Sequence, residues 1–264
     1  MTNSRPQRSA PARGPAIGQG LGRRLFAEFL GTALLVAIVV GSGIAAQRLS
    51  PNDVGIQLLE NSTATVFGLT VLILMLGPVS GAHFNPVVSL ADWFLGRDTG
   101  NGLTLAEVGA YALVQCAGGI GGALLANAMF AVPAGLSSTH RASSGHLIGE
   151  VVATAGLLVL IFALARTHRG VLSAPAVGAY VGAAYWFTSS TSFANPAVTV
   201  GRIFSDTFAG IAPASVLAFI AMQLIGGAVG IACVHVLYPD AGASADEVLL
   251  AHPRQLSDTP ESIA

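Results

Sequence analysis

Long apolar runs alternate with short polar breaks along this chain. The first runs from Leu25 to Ala46, and others follow at about 58–77, 105–131, 146–165, 172–189 and 213–238. A helix crossing the hydrocarbon core of a bilayer needs about 20 apolar residues, so this pattern predicts six spanning helices. The first run is also longer than the roughly 7–15 residues of a signal-peptide core. Two further apolar pieces, about 85–95 and 195–204, are too short to cross, and both open on Asn-Pro: Asn85-Pro86 and Asn195-Pro196. Asn is a strong helix N-cap, and Pro fits the first helical turn, where its missing N–H costs nothing. Each piece therefore reads as a half-length helix that starts inside the membrane.

The pattern also repeats. AEFLGTALLV (27–36) is echoed by GEVVATAGLLV (149–159), aligning Glu28 and Thr32 with Glu150 and Thr154. SGAHFNPVVSL (80–90) and SFANPAVTVGR (192–202) carry the Asn-Pro pairs 110 residues apart, and QCAGGIGG (115–122) matches QLIGGAVG (223–230). With three spans in each half, about 25–131 and 146–238, the second copy must enter the membrane upside down, which makes an inverted repeat. The expected architecture is an all-α membrane protein with six transmembrane helices and two re-entrant half-helices. Residues 1–24 and 239–264 read as polar tails flanking a channel-sized domain at 25–238.

Composition narrows the class. Of 264 residues, 53% are hydrophobic and 9% are charged, against about 25% charged in soluble domains. The net charge of −1 excludes a nucleic-acid footprint. All twelve basic residues are arginines, and an inside N-terminus leaves only Arg48, Arg141 and Arg202 on the outer side. The positive-inside rule then predicts a multi-pass cell-membrane protein with both termini cytoplasmic. Cys116 and Cys233 lie in apolar runs without metal-ligand spacing, so no metal or other cofactor is expected.

A broken helix survives in a membrane only inside protein or against a water-filled cavity. Two half-helices entering from opposite faces meet N-terminus to N-terminus, each end carrying about +0.5 elementary charge and an Asn amide. Cations are repelled there, while small neutral solutes meet hydrogen-bond donors. This describes a passive pore.

These residues resemble the aquaporins of the major intrinsic protein family, over about 24–238. SGAHFNPVVS, FANPAV, the ExxxT openings and the paired Q-x-x-G-G boxes carry the resemblance. It implies a non-enzymatic channel, one pore per protomer in a homotetramer, and buried Glu28 and Glu150 that hold the re-entrant loops. It also exposes a departure. Water-selective members read NPAR and use that Arg at the narrowest point, whereas this chain has Val198; the glycerol branch follows the Arg with Asp, whereas this chain has Thr199. NPAV resembles aquaporin-like channels associated with bacterial arsenic resistance. A wider and less polar filter would suit arsenous acid and glycerol-like polyols as well as water. The alternatives are a water-selective channel and an inverted-repeat secondary transporter, although neither half-helix start carries an acid.

Other filter positions stay open at this level. Ser192, three residues before Asn195, is one. Phe67 matches an aromatic wall in the second span by resemblance, while counting back from Asn85 favours Thr65. In the fifth span the choice lies between Tyr185, Trp186 and Ala183. Arg202 is four residues beyond Val198 and so on the same helix face, where it reaches the pore mouth or pins a loop. His83 reads as a lining residue of the opposite mouth.

Overall fold

The computed structural model describes residues 20–97 and 100–239, and within them the chain is helical, with no strand. The first half contains α1 (Leu21–Leu49), α2 (Val54–Ser80), α3 (Pro86–Gly96) and α4 (Leu105–Met129). The second contains α5 (Ser144–Arg166), α6 (Ser173–Phe187), α7 (Pro196–Gly201) and α8 (Pro213–Leu237). Local chemistry sets several helix starts. Asp53 caps α2 through the Ile56 amide at 3.0 Å. Thr104 and Glu107 form a reciprocal capping box on α4, at 3.2 and 2.8 Å. Asn85 and Asn195 cap α3 and α7, each followed by Pro at the first helical position.

Five helices, α1, α2, α4, α5 and α8, are long and apolar enough to cross a membrane. The run at 172–189 forms the expected sixth helix in two pieces, a 3₁₀ turn and α6, and α6 alone falls short of that length. Its helix has 15 residues, about 22 Å at 1.5 Å per residue. It is preceded by a 3₁₀ turn at Gly170–Leu172 and ends where Thr188 becomes extended. The second half-helix covers the expected 195–204: Asn195 caps α7, which has six residues and tightens into a 3₁₀ turn at Arg202–Phe204. Helix α1 starts at Leu21, so Arg23 and Arg24 belong to it and not to a tail. Residues 1–19 and 240–264 of the two expected tails lie outside the described residues.

The halves are built alike. α1 packs on α4 as α5 packs on α8, and α2 against α6 joins the halves. The small-residue boxes make the first two contacts close. A Cβ on Gly122 would overlap the carbonyl oxygen of Ala33, and one on Gly226 would sit 2.6 Å from that of Val151. Such backbone approach is the usual way membrane helices associate where lipid is as apolar as the side chains. The surface matches that environment: Leu217 and Val236 are each 81% exposed, while Glu28 and Glu150 are fully buried. The short helices α3 and α7 sit inside this frame, α3 against α4 and α8, and α7 against α4 and α8.

Candidate functional site

The loops before α3 and α7 turn tightly, and after Gly81, with φ 92°, their left-handed positions are not glycines. Ala82, Phe84, Thr191, Ser192 and Ala194 all have left-handed φ between 47° and 60°, which costs L-residues roughly 1–2 kcal/mol each. Two buried acids offset that cost. Glu28 accepts from the backbone amides of His83 (3.0 Å) and Phe84 (2.7 Å), from Ser80 Oγ (2.6 Å) and from Gln115 Nε2 (2.7 Å). Glu150 accepts from the amides of Phe193 and Ala194, both at 2.9 Å, and from Gln223 Nε2 at 2.6 Å. Charge-assisted bonds to an ionised acceptor are the strong kind, so each acid acts as an anchor for one re-entrant loop.

Held this way, the two asparagines cross. Asn85 Nδ2 donates to the Ala194 carbonyl at 2.8 Å, and Asn195 Nδ2 donates to the Phe84 carbonyl at 2.7 Å. Each side-chain oxygen is occupied by its own helix: Asn85 Oδ1 by the Val87 amide at 3.0 Å, and Asn195 Oδ1 by the Ala197 and Val198 amides at 2.9 and 3.2 Å. An amide nitrogen carries two N–H groups, so one from each Asn remains. Both asparagines line a narrow cavity of about 80 Å³, room for roughly half a dozen waters at about 10–15 Å³ each.

That cavity runs between the halves. Leu35, Val39, Leu157 and Ile161 give it apolar walls, and His83 lies on one side of the asparagine pair. His83 Nδ1 is 3.0 Å from Ser89 Oγ, and its ring meets Tyr111 edge-on at 5.6 Å. On the other side stand Thr65, Tyr185, Ser192 and Val198. Thr65 Oγ1 lies 3.2 Å from Tyr185 Oη, while Ser192 Oγ is buried without a protein partner.

Two candidate residues point elsewhere. Phe67 is 68% and Trp186 52% exposed, and neither lines the cavity. At 100° per residue, Phe67 is turned about 200° from Thr65, and Trp186 about 100° from Tyr185. Trp186 instead donates Nε1 to Ser62 Oγ at 3.2 Å. Ala183 is also exposed.

Arg202 closes the cavity at the end where α1 finishes. It lines both this cavity and a wider vestibule of about 390 Å³ that includes Gln47, Arg141 and Asp206. Its amide donates to the Val198 carbonyl, which sets it one helical turn from Val198. Its Nε donates to the Ala209 carbonyl, and its guanidinium lies 3.5 Å from the centroid of the Phe193 ring.

Several supports escape a reading of the sequence. Gln115 and Gln223 bridge each acid to its half-helix, reaching Ser89 Oγ at 3.3 Å and Thr199 Oγ1 at 2.8 Å. The matched Q-x-x-G-G boxes held that signal. Arg24 pairs with Glu107 at 2.8 Å and donates to Tyr111 Oη at 2.9 Å, and Tyr111 in turn donates to the Ser80 carbonyl.

A family model described as "Major intrinsic protein" matches residues 19–194. The chain belongs to the major intrinsic protein family. It is 45% identical over 222 residues to "Aquaglyceroporin AqpS" of Rhizobium meliloti (strain 1021), covering 84% of this chain and 92% of that relative. It is 31% identical over 217 residues to "Aquaporin AqpM" of Methanothermobacter marburgensis, covering 72% of this chain and 86% of that relative. Its fold is similar to the X-ray structure of the aquaglyceroporin from Plasmodium falciparum, with a TM-score of 0.58 and 21% identity, over 85% of this chain and all of that one. The cavity through this family member is accordingly called its lumen.

Proposed function

We propose that this aquaporin-family channel passes small uncharged solutes down their gradients through the lumen crossed by Asn85 and Asn195. Its solutes are water, glycerol-like polyols and metalloid acids such as arsenous acid. The observation that carries the reading is the composition of the lumen on the Arg202 side of the asparagines. There Val198, Tyr185, Thr65 and Ser192 combine apolar walls with a few hydroxyls, and Val198 occupies the position where water-selective relatives carry an arginine. An amphiphilic solute with oxygens at one edge and an apolar face fits such a lining. The similarity to a relative named as an aquaglyceroporin supports the same direction.

The asparagines suit neutral cargo for a separate reason. Their side-chain oxygens are already bonded to backbone amides, so only N–H groups face the lumen centre. A water there accepts from both and turns its own hydrogens outward, which interrupts a proton wire. The two helix N-termini add positive potential at the same point.

The surrounding assembly belongs to the same proposal: a homotetramer in the cell membrane, both termini cytoplasmic, with the vestibule facing outward. The arginine distribution supports the orientation. Stopped-flow light scattering on reconstituted vesicles tests the function. Water, glycerol and arsenous acid should each cross faster than through empty vesicles. Water conduction without the other two would favour a water-selective channel, and uphill accumulation abolished by an uncoupler would favour a transporter.

A further inference from the structure

We propose that Arg202 determines selectivity at the neck, repelling cations and orienting neutral solutes that carry an acceptor oxygen. The inference rests on the channel reading above and adds a residue to it. Arg202 stands where lumen and vestibule adjoin, since it lines both. It is only 3% exposed, so its charge sits in the wall and not on the surface.

Its geometry is fixed but its hydrogen bonding is unfinished. Nε is held by the Ala209 carbonyl. The guanidinium lies on the Phe193 ring, which is itself held edge-on by Phe219 at 5.2 Å. Of the five N–H groups that a guanidinium offers, this is the single one with a protein acceptor among the described residues. Among the described residues no protein group bonds to the terminal nitrogens, and the residue that carries them lines both the lumen and the vestibule.

No carboxylate among the described residues pairs with Arg202. Glu150 is committed to Phe193, Ala194 and Gln223. Asp206 on the vestibule wall is committed to the amide and hydroxyl of Ser138 at 2.8 and 2.9 Å. Arg141 adds a second positive charge, 5.4 Å from the Phe193 ring, but its Nε and Nη2 are bonded to the Gly210 and Phe208 carbonyls at 2.7 and 2.8 Å. A residue needed only to pin the loop at Ala209 could be neutral. A buried, unpaired charge is costly to keep, and this one stands where lumen and vestibule adjoin.

The position explains how charge exclusion and width coexist. Val198 lies one turn deeper, so the charge does not occupy the narrow apolar stretch. Ser192 Oγ, buried and unpartnered, supplies a hydroxyl within the same lumen. The solute class is therefore a small neutral molecule with one oxygen-bearing end and one compact or apolar end.

The test compares methylammonium and glycerol fluxes in vesicles holding the native channel, Arg202→Gln, Arg202→Lys or Arg48→Gln. Arg48 lies at the same end of the molecule but outside the lumen lining, with Nη2 on the Phe130 carbonyl. Arg202→Gln is expected to raise the methylammonium-to-glycerol ratio about tenfold, as expected for a unit charge removed from a partly desolvated site. Arg202→Lys should restore the native ratio, and Arg48→Gln should leave it unmoved. An unchanged ratio in a conducting Arg202→Gln channel overturns the proposal. A second measurement needs no variant: 2,3-butanedione applied to native vesicles should modify Arg202, read by peptide mass, and raise the same ratio. Resistance of Arg202 while Arg48 reacts also overturns it. If native vesicles pass no glycerol above empty ones, the channel reading fails first and this inference falls with it.

Discussion

Asn85 and Asn195 each donate to the carbonyl that precedes the other, at 2.8 and 2.7 Å, so the two half-helices are tied crosswise at their N-termini. The tie leaves one N–H per asparagine for the lumen, while each side-chain oxygen is engaged by amides of its own half-helix. Replacing Asn195 by Asp keeps the helix cap, since Asp caps as well as Asn. It removes the bond to Phe84 and puts a negative charge where only donors stood. In a pH-gradient dye assay the native channel should show no proton flux above empty vesicles. Asn195→Asp should raise that flux by at least about tenfold, the effect of 1.4 kcal/mol or more on a cation barrier.

Glu150 holds the second re-entrant loop through both carboxylate oxygens. A glutamine there accepts at one position and points an NH₂ at a backbone N–H at the other. The loop then keeps its left-handed residues without full support. Glu150→Gln should lower stability by about 2–3 kcal/mol, the worth of one charge-assisted bond plus a stranded donor. Thermal unfolding in detergent reads this, and a melting temperature equal to native would mean the acid is not an anchor.

Much of this architecture is legible in the sequence, and the reasons are physical. Asn-Pro is a local helix start whatever surrounds it, so α3 and α7 could be placed from Asn85 and Asn195 alone. Acids at 28 and 150 stand out because a carboxylate within an apolar span needs partners. Helix rotation was harder to read. Thr65 and Phe67, like Tyr185 and Trp186, are neighbours on one helix, and which of them faces the lumen depends on how α2 and α6 pack. Nearly uniform apolarity erases the polar stripe that would otherwise mark the inward face. Arg24 reads as tail in the sequence because a Gly- and Pro-rich stretch precedes it, while its partner Glu107 lies 83 residues away.

The vestibule wall has its own acid-sensitive tether. Asp206 accepts from the Ser138 amide and hydroxyl, and these bonds hold its carboxyl below the usual carboxylate range. A depressed folded-state pKa stabilises the tether above the unfolded value of about 3.9 and releases it as pH falls through the folded one. Hydrogen exchange at the Ser138 amide, expressed as the ratio to Asp206→Asn, should show protection that is flat through neutral and mildly acid pH and lost below about pH 4. Protection that is already absent at neutral pH would show that the tether does not form in solution.

Val198 tests the width of the lumen directly. Its side chain is 5% exposed and lines the narrow cavity of about 80 Å³. An arginine there would fill a large part of that space and stand one turn from Arg202, two like charges on one face of a half-helix. The backbone needs no change, because the Val198 amide donates to Asn195 Oδ1 regardless of side chain. Val198→Arg should therefore reduce glycerol and arsenous acid flux by at least about tenfold, a barrier increase of 1.4 kcal/mol or more, with a smaller loss for water. Stopped-flow scattering on monodisperse, reconstituted protein reads all three. Equal losses for water and the larger solutes would indicate a blocked or misfolded channel. Unchanged glycerol flux would move the constriction away from position 198, with Tyr185 and Arg202 the next residues to vary.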